Sequence, residues 1–129
     1  MSWKKEIEEL KKRESLAEKM GGDEKLKRQK DNNRLNVRER IDLLLDKDSF
    51  HEIGKIAGKS EYDEKGKLKK FIPSNFVMGR GSINGKKVVV GGDDFTVRGG
   101  AADASIAQKQ IMAEQLANEY RLPLIRLIE

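Results

Sequence analysis

The pair Asn84-Gly85, set between the β-prone runs 76–83 and 86–92, constrains the fold of this chain more than any other stretch. Both residues tolerate the positive φ of a type I′ turn, so the flanking runs are predicted to pair as an antiparallel hairpin. Within the second run, Val88-Val89-Val90 is apolar without alternation, which predicts a strand buried on both faces. Residues 103–121 then read as a helix. Ile106, Ala113, Leu116, Ala117 and Tyr120 share a stripe, and Ile111 and Met112 widen it, so cover on more than one side is expected. Pro123 closes the next turn, and Leu124 to Ile128 is predicted to be a buried strand. Hairpin, helix and strand in that order imply a right-handed βαβ crossover. A core strand at the last residue of the chain also raises the expectation of truncation after Glu129.

The rest of the chain is far more polar. Residues 1–70 hold 36 of the 49 charged side chains, 20 basic and 16 acidic, so the core is expected in the second half. Trp3 to Met20 reads as a helix, with Trp3, Ile7, Leu10 and Ala17 at heptad-like spacing and Gly21-Gly22 as its end. Asp23 is expected to cap a second charged helix to about Asn32. Neither has a wide apolar face, so both need a surface to dock on, in their own or a neighbouring subunit. Asn36 to Glu39 has the form of a capping box, followed by an apolar helical face of Val37, Ile41, Leu44 and Leu45. Phe50 to Ile53 is expected to be a short strand, and Gly54 to Lys70 a loop.

A net charge of +5 would suit nucleic acid, but bases and acids alternate along the helices, as in Lys4-Lys5-Glu6, which describes a solvated face. The absence of cysteine excludes a disulfide framework and a thiolate zinc site. No signal core or membrane-length apolar run is present, so a cytoplasmic location is expected.

Residues 94–101, Asp-Phe-Thr-Val-Arg-Gly-Gly-Ala, follow the apolar strand and precede the helix. Paired glycines at such a junction let the backbone approach a ligand, although the bland alternative is a sharp turn. The other candidates have bland readings. Gly79-Arg80-Gly81 lacks the third glycine of a dinucleotide fingerprint and marks a bulge or close packing. Asp93-Asp94 has too few companions for a metal and reads as a strand-end turn with capping roles, so no metal site is assigned. His51 has no nucleophile beside it in a motif. Arg38 and Arg40 could meet the phosphates of a ligand or form surface ion pairs.

Taken together, Arg38-Glu39-Arg40-Ile41-Asp42-Leu43-Leu44-Leu45-Asp46, Gly79-Arg80-Gly81, Asp94-Phe95-Thr96-Val97 and Gly99-Gly100 resemble, in order and spacing, the β-type carboxyltransferase subunit of biotin-dependent acyl-CoA carboxylases, the propionyl-CoA carboxylase kind. The resemblance covers the chain from about Trp3 onward. It implies an α/β, crotonase-like ββα superhelix, present as the first half of the N-terminal carboxyltransferase domain. Residues 1–48 would form a charged helical segment, and residues 49–129 a partial crotonase-like domain.

The resemblance further implies that carboxybiotin, on a separate carrier, releases CO2 that an acyl-CoA enolate captures. The freed biotin nitrogen would take the α-proton, and backbone N–H donors would hold the enolate oxygen. Gly99, Gly100 and Ala101 would line the thioester and pantetheine region, with Phe95 and Thr96 supporting the turn. Ala101 stands where the family usually has serine, so a hydroxyl contact is not expected there. The main oxyanion glycines would lie after Glu129, leaving catalytic residues unassigned and this polypeptide alone silent. Implied partners are acyl-CoA, a biotin carboxylase, a biotin carrier subunit and further carboxyltransferase subunits in a homo-oligomer, with neither nucleic acid nor membrane. Two alternatives stand beside this reading: a biotin-dependent acyl-CoA decarboxylase of the sodium-pump type, and a non-enzymatic basic interaction module.

Overall fold

A computed structural model of the chain describes residues 2–100 and 107–129. Three helices come first: α1 (Lys4–Glu18), α2 (Asp23–Asp31) and α3 (Val37–Leu44). Six strands and a fourth helix follow: β1 (His51–Ile53), β2 (Gly58–Tyr62), β3 (Leu68–Pro73), β4 (Phe76–Ile83), β5 (Lys86–Asp93), α4 (Gln108–Tyr120) and β6 (Leu124–Leu127).

The predicted hairpin is the centre of a four-stranded sheet, ordered β1-β4-β5-β6. Strands β4 and β5 pair without a break from Phe76–Asp93 to Ile83–Lys86, and Asn84 (φ 50°) and Gly85 (φ 78°) make the turn. Asp46 holds that turn from outside, its two carboxylate oxygens accepting from the Asn84 and Gly85 amides at 2.8 and 2.9 Å. Strand β6 runs parallel to β5 after α4, so the central unit is a ββα repeat entering a further strand.

Alternation along the hairpin builds two cores. Val77, Val88 and Val90 point to the face covered by α3, where they meet Val37, Ile41, Leu45 and Met20. Phe76, Met78 and Val89 point to the other face and meet Ala113 and Ala117 of α4. Fully burying Ile41 or Val37 is worth about 1.5–3 kcal/mol each. Strand β5 is therefore buried on both faces, as its composition predicts. The first core also draws in the helical segment, because Met20 and α3 help to form it.

Several expectations are corrected by packing. Residues 54–70 are not a loop: β2 and β3 form a second hairpin. Its turn is closed by Asp63, whose Oδ1 accepts from the amides of Lys65 and Lys67. A lysine-rich stretch can be a strand here because α1 lies against it, with Arg13 donating to Ser60 and Tyr62. Helix α1 begins at Lys4 and ends at Glu18. Trp3, Ile7 and Leu10 are exposed, and only Ala17 of that stripe is buried.

Asp23 is the first residue of α2, not its cap; Gly22 holds the cap position with φ 100°. Helix α4 begins at Gln108; residues 103–106 of the predicted helix lie outside the described residues. Ile111 and Met112 are half-exposed, not covered, because the sheet meets only the Ala113–Ala117 side of the helix. Strand β6 is half-buried along its length, since it is the sheet's edge, and Ile128 beyond it is exposed.

The Asn36–Glu39 capping box is present in full, with both reciprocal bonds at 3.0 Å. Gly79 and Gly81 mark close packing without a bulge. A Cβ on Gly79 would sit 2.2 Å from the His51 carbonyl oxygen, and one on Gly81 would meet Leu45 at 2.6 Å.

Candidate functional site

The segment after β5 is built on one buried carboxylate. Asp94 is 1% exposed, and its Oδ1 accepts from the Thr96 hydroxyl at 2.6 Å and the Thr96 amide at 2.9 Å. This is an Asx-type closure, in which an aspartate folds the chain back on itself. Burial pushes the Asp94 carboxyl above the ordinary carboxylate range, while the two bonds from Thr96 pull the other way. Backbone bonds continue the curl: the Val97 amide donates to the Asp94 carbonyl, and the Gly100 amide to the Val97 carbonyl.

Three consecutive residues then adopt left-handed backbone: Arg98 (φ 52°), Gly99 (φ 61°) and Gly100 (φ 70°). Two glycines are the residue type that makes such a run possible. The outcome is a bare backbone ridge. Among the described residues nothing lies within 4 Å of where a Cβ on Gly99 would stand, and a Cβ on Gly100 would lie 3.5 Å from the Phe95 ring. Phe95 itself is 42% exposed beside this ridge.

The residues named from sequence thus divide. Phe95, Gly99 and Gly100 come together at the surface, and Thr96 lies beneath them as a buried support. Ala101 lies outside the described residues. The Gly100 amide is turned inward to Val97, so what faces outward at the glycine pair is chain without side chains.

One supporting contact of the turn, and one buried ionisable side chain elsewhere, escape sequence reasoning. The Gly21 amide donates to the Thr96 hydroxyl oxygen at 2.9 Å across 75 residues. Only the unusual Gly21-Gly22 pair hinted that something approaches there. Lys109, at the start of α4, is 7% exposed, and burial lowers its ammonium from 10.5 to about 8 against the attraction of Glu52. Its stem lies against Gly54, 3.2 Å from where a Cβ would stand.

The remaining sequence candidates are structural. Arg38 makes a two-pronged ion pair with Glu52 at 2.7 and 2.9 Å, binding α3 to β1, and so is committed away from a phosphate. Arg40 donates to the Ile128 carbonyl. Asp93 receives Gln110 and Arg126, and the Arg126 guanidinium stacks 4.9 Å from the Phe76 ring centre. His51 lies in an open groove of about 940 Å³ with Arg80, Lys87 and Tyr120, at the hairpin end of the sheet. That groove is therefore at the opposite end of β4 and β5 from the glycine ridge. Among the described residues, no group of acids and histidines is arranged to hold a metal ion, and no helix is long and apolar enough to cross a membrane.

Comparison with known proteins gives this geometry a context. The profile of the carboxyl transferase domain matches residues 28–129. The chain is 37% identical over 111 residues to the methylcrotonoyl-CoA carboxylase beta chain of Arabidopsis thaliana, covering 84% of this chain and 18% of the relative. It is 34% identical over 121 residues to the propionyl-CoA carboxylase beta chain of Cereibacter sphaeroides, covering 94% and 24%. Among solved structures, the transcarboxylase 12S hexamer core, with methylmalonyl-coenzyme A and methylmalonic acid bound, superposes with a TM-score of 0.81. The identity is 26%, over 98% of this chain and 25% of that one. The ββα repeat described above is thus part of a crotonase-like carboxyltransferase fold. The chain spans about a fifth to a quarter of the length of these relatives.

Proposed function

Because the chain belongs to the carboxyl transferase domain family, we propose that it contributes the acyl-CoA-facing turn of an acyl-CoA carboxyltransferase of the propionyl-CoA carboxylase beta type. The observation that carries this reading is the bare ridge at Gly99 and Gly100, held by a buried aspartate and flanked by an exposed phenylalanine. A thioester and pantetheine arm is long, thin and rich in amides. Backbone without side chains lets it lie in close contact, and the Phe95 ring offers an apolar wall beside it. Similarity to the carboxylase beta chains supports acyl-CoA over other thin ligands.

In this reading the substrate contacts are Phe95, Gly99, Gly100 and Ala101, with Thr96 as support. The reaction moves a carboxyl group from carboxybiotin to the α-carbon of the acyl-CoA. Biotin enters as a second substrate, brought on a carrier subunit that a biotin carboxylase loads. Neither holding biotin nor donating to the enolate oxygen is assigned to a described residue here, because the Gly100 amide is already spent on Val97. The contribution of the turn is to bind and orient the acyl-CoA, which lowers the barrier by removing its freedom. Further copies of the carboxyltransferase subunit complete the assembly, in the cytoplasm.

The test is titration of the chain with propionyl-CoA, followed by amide chemical shifts and by calorimetry. Shifts concentrated at Phe95, Thr96, Gly99 and Gly100 are expected, and Gly99→Val should weaken binding at least ~10-fold, a loss of about 1.4 kcal/mol. No binding at millimolar ligand, or shifts confined to the groove of His51, Arg80 and Lys87, would overturn the assignment.

A further inference from the structure

We infer that Gly21, in the corner between α1 and α2, is a positioning residue for the acyl-CoA turn and acts through Thr96. The inference rests on the reading of that turn given above, and it brings into the site a residue ahead of the family match, which begins at residue 28.

The contact is both polar and steric. The Gly21 amide donates to Thr96 Oγ1 at 2.9 Å, and that hydroxyl donates to Asp94 Oδ1 at 2.6 Å. Thr96 is 4% exposed and Asp94 1%, so water competes for neither bond. The donation from Gly21 uses the hydroxyl's acceptor side, which leaves its one proton for Asp94. From Asp94 the curl runs by backbone bonds through Val97 to Gly100. One chain of hydrogen bonds therefore joins the α1–α2 corner to the ridge.

Sterically, a Cβ on Gly21 would stand 2.0 Å from the Thr96 carbonyl oxygen and 2.9 Å from its Cβ. Neighbouring Gly22 needs glycine for a different reason, its φ of 100°, and among the described residues nothing lies within 4 Å of where its Cβ would stand. Ending a helix requires only one such residue. The second glycine is explained by the close approach to Thr96. The corner is itself anchored, because Met20 is 6% exposed in the core with Val37 and Val77. A rigid corner pressed on the back of the turn limits how far Thr96 can move.

The experiment uses the full chain with Gly21→Ala, Thr96→Val and Thr96→Ser. Hydrogen exchange of individual amides is read without ligand, and propionyl-CoA affinity is read separately. Thr96→Val keeps the shape and removes both hydroxyl bonds, so it serves even where Gly21→Ala fails to fold. Gly21→Ala and Thr96→Val should each speed exchange at Val97 and Gly100 by ~10-fold, as expected for loss of about 1.4 kcal/mol, with Val89 and Val90 unchanged. Both should weaken propionyl-CoA binding by a similar factor, and Thr96→Ser should restore wild-type values in both measurements. Unchanged exchange at Val97 and Gly100, or a uniform rise across the chain, would overturn the role of Gly21. Exchange that responds as expected in a wild-type chain that binds no propionyl-CoA would leave the link standing and overturn the acyl-CoA reading instead.

Discussion

Lys109 and Asp94 are ionisable groups that the fold holds against their preference, and their pH signatures have opposite signs. The Lys109 ammonium is held down to about 8 in the folded chain, against 10.5 when free. Between those values the unfolded chain binds more protons, so stability rises with pH across that window. The full penalty, on the order of 3 kcal/mol, is present below pH 8. Lys109→Met, which keeps an unbranched stem against Gly54, should raise the melting temperature at pH 7 and lose the increase above pH 8. Asp94 is pushed up by burial, so its folded form holds a proton more tightly than the unfolded one. Its contribution is most favourable below the free value of 3.8 and is lost as pH rises through the folded value. Asp94→Asn keeps an acceptor for Thr96 without the charge, so denaturant titrations should show that step in the wild type and not in the variant.

Among the elements, α3 and the central hairpin are each secured at one end by a side chain that accepts backbone protons. Asn36→Ala removes the α3 cap bond to Glu39 and should cost about 1 kcal/mol, read as a shifted urea midpoint with unchanged slope. Asp46 accepts both turn amides of the hairpin, and these bonds, Gly85 first, lower its carboxyl below the ordinary value. That stabilisation is present above pH 3.8 and is lost as pH falls through the lower folded value. Asp46→Asn should leave the turn easier to open at neutral pH, with faster amide exchange at Asn84 and Gly85. The capping box was legible because its four residues are adjacent. The Asp46 contact was not, because 38 residues separate it from Asn84.

At the scale of the whole molecule, apolar side chains are left exposed among the described residues, on α4 and α1 among other places. Ile111 and Met112 are each 50% exposed on the outer side of α4, while Trp3 and Ile7 are exposed on α1. Strand β6 also offers an unpaired edge among the described residues. Exposed apolar faces and free strand edges promote association. The chain should therefore sediment as more than a monomer at high micromolar concentration, and the double change Ile111→Lys with Met112→Glu should shift it toward the monomer. Sedimentation of an unmixed monomer in both forms would count against an association surface on α4.

What the sequence determined alone is the local grammar: the Asn84-Gly85 turn, the apolar β5 and the α3 capping box. Each depends on residues within a few positions of one another, or on a periodicity that one element carries by itself. The glycine pair at 99–100 was legible as a place where backbone must be bare, and the left-handed conformations there have the same local cause. Tertiary structure alone decided the rest. Residues 58–73 became a hairpin because α1 lies against them, and the outer face of α4 stayed open because the sheet meets only its other side. Gly21 came to touch Thr96 because the first core draws Met20 inward and brings the corner with it. Contacts of that kind join residues distant in the chain, and neither partner carries a pattern that names the other.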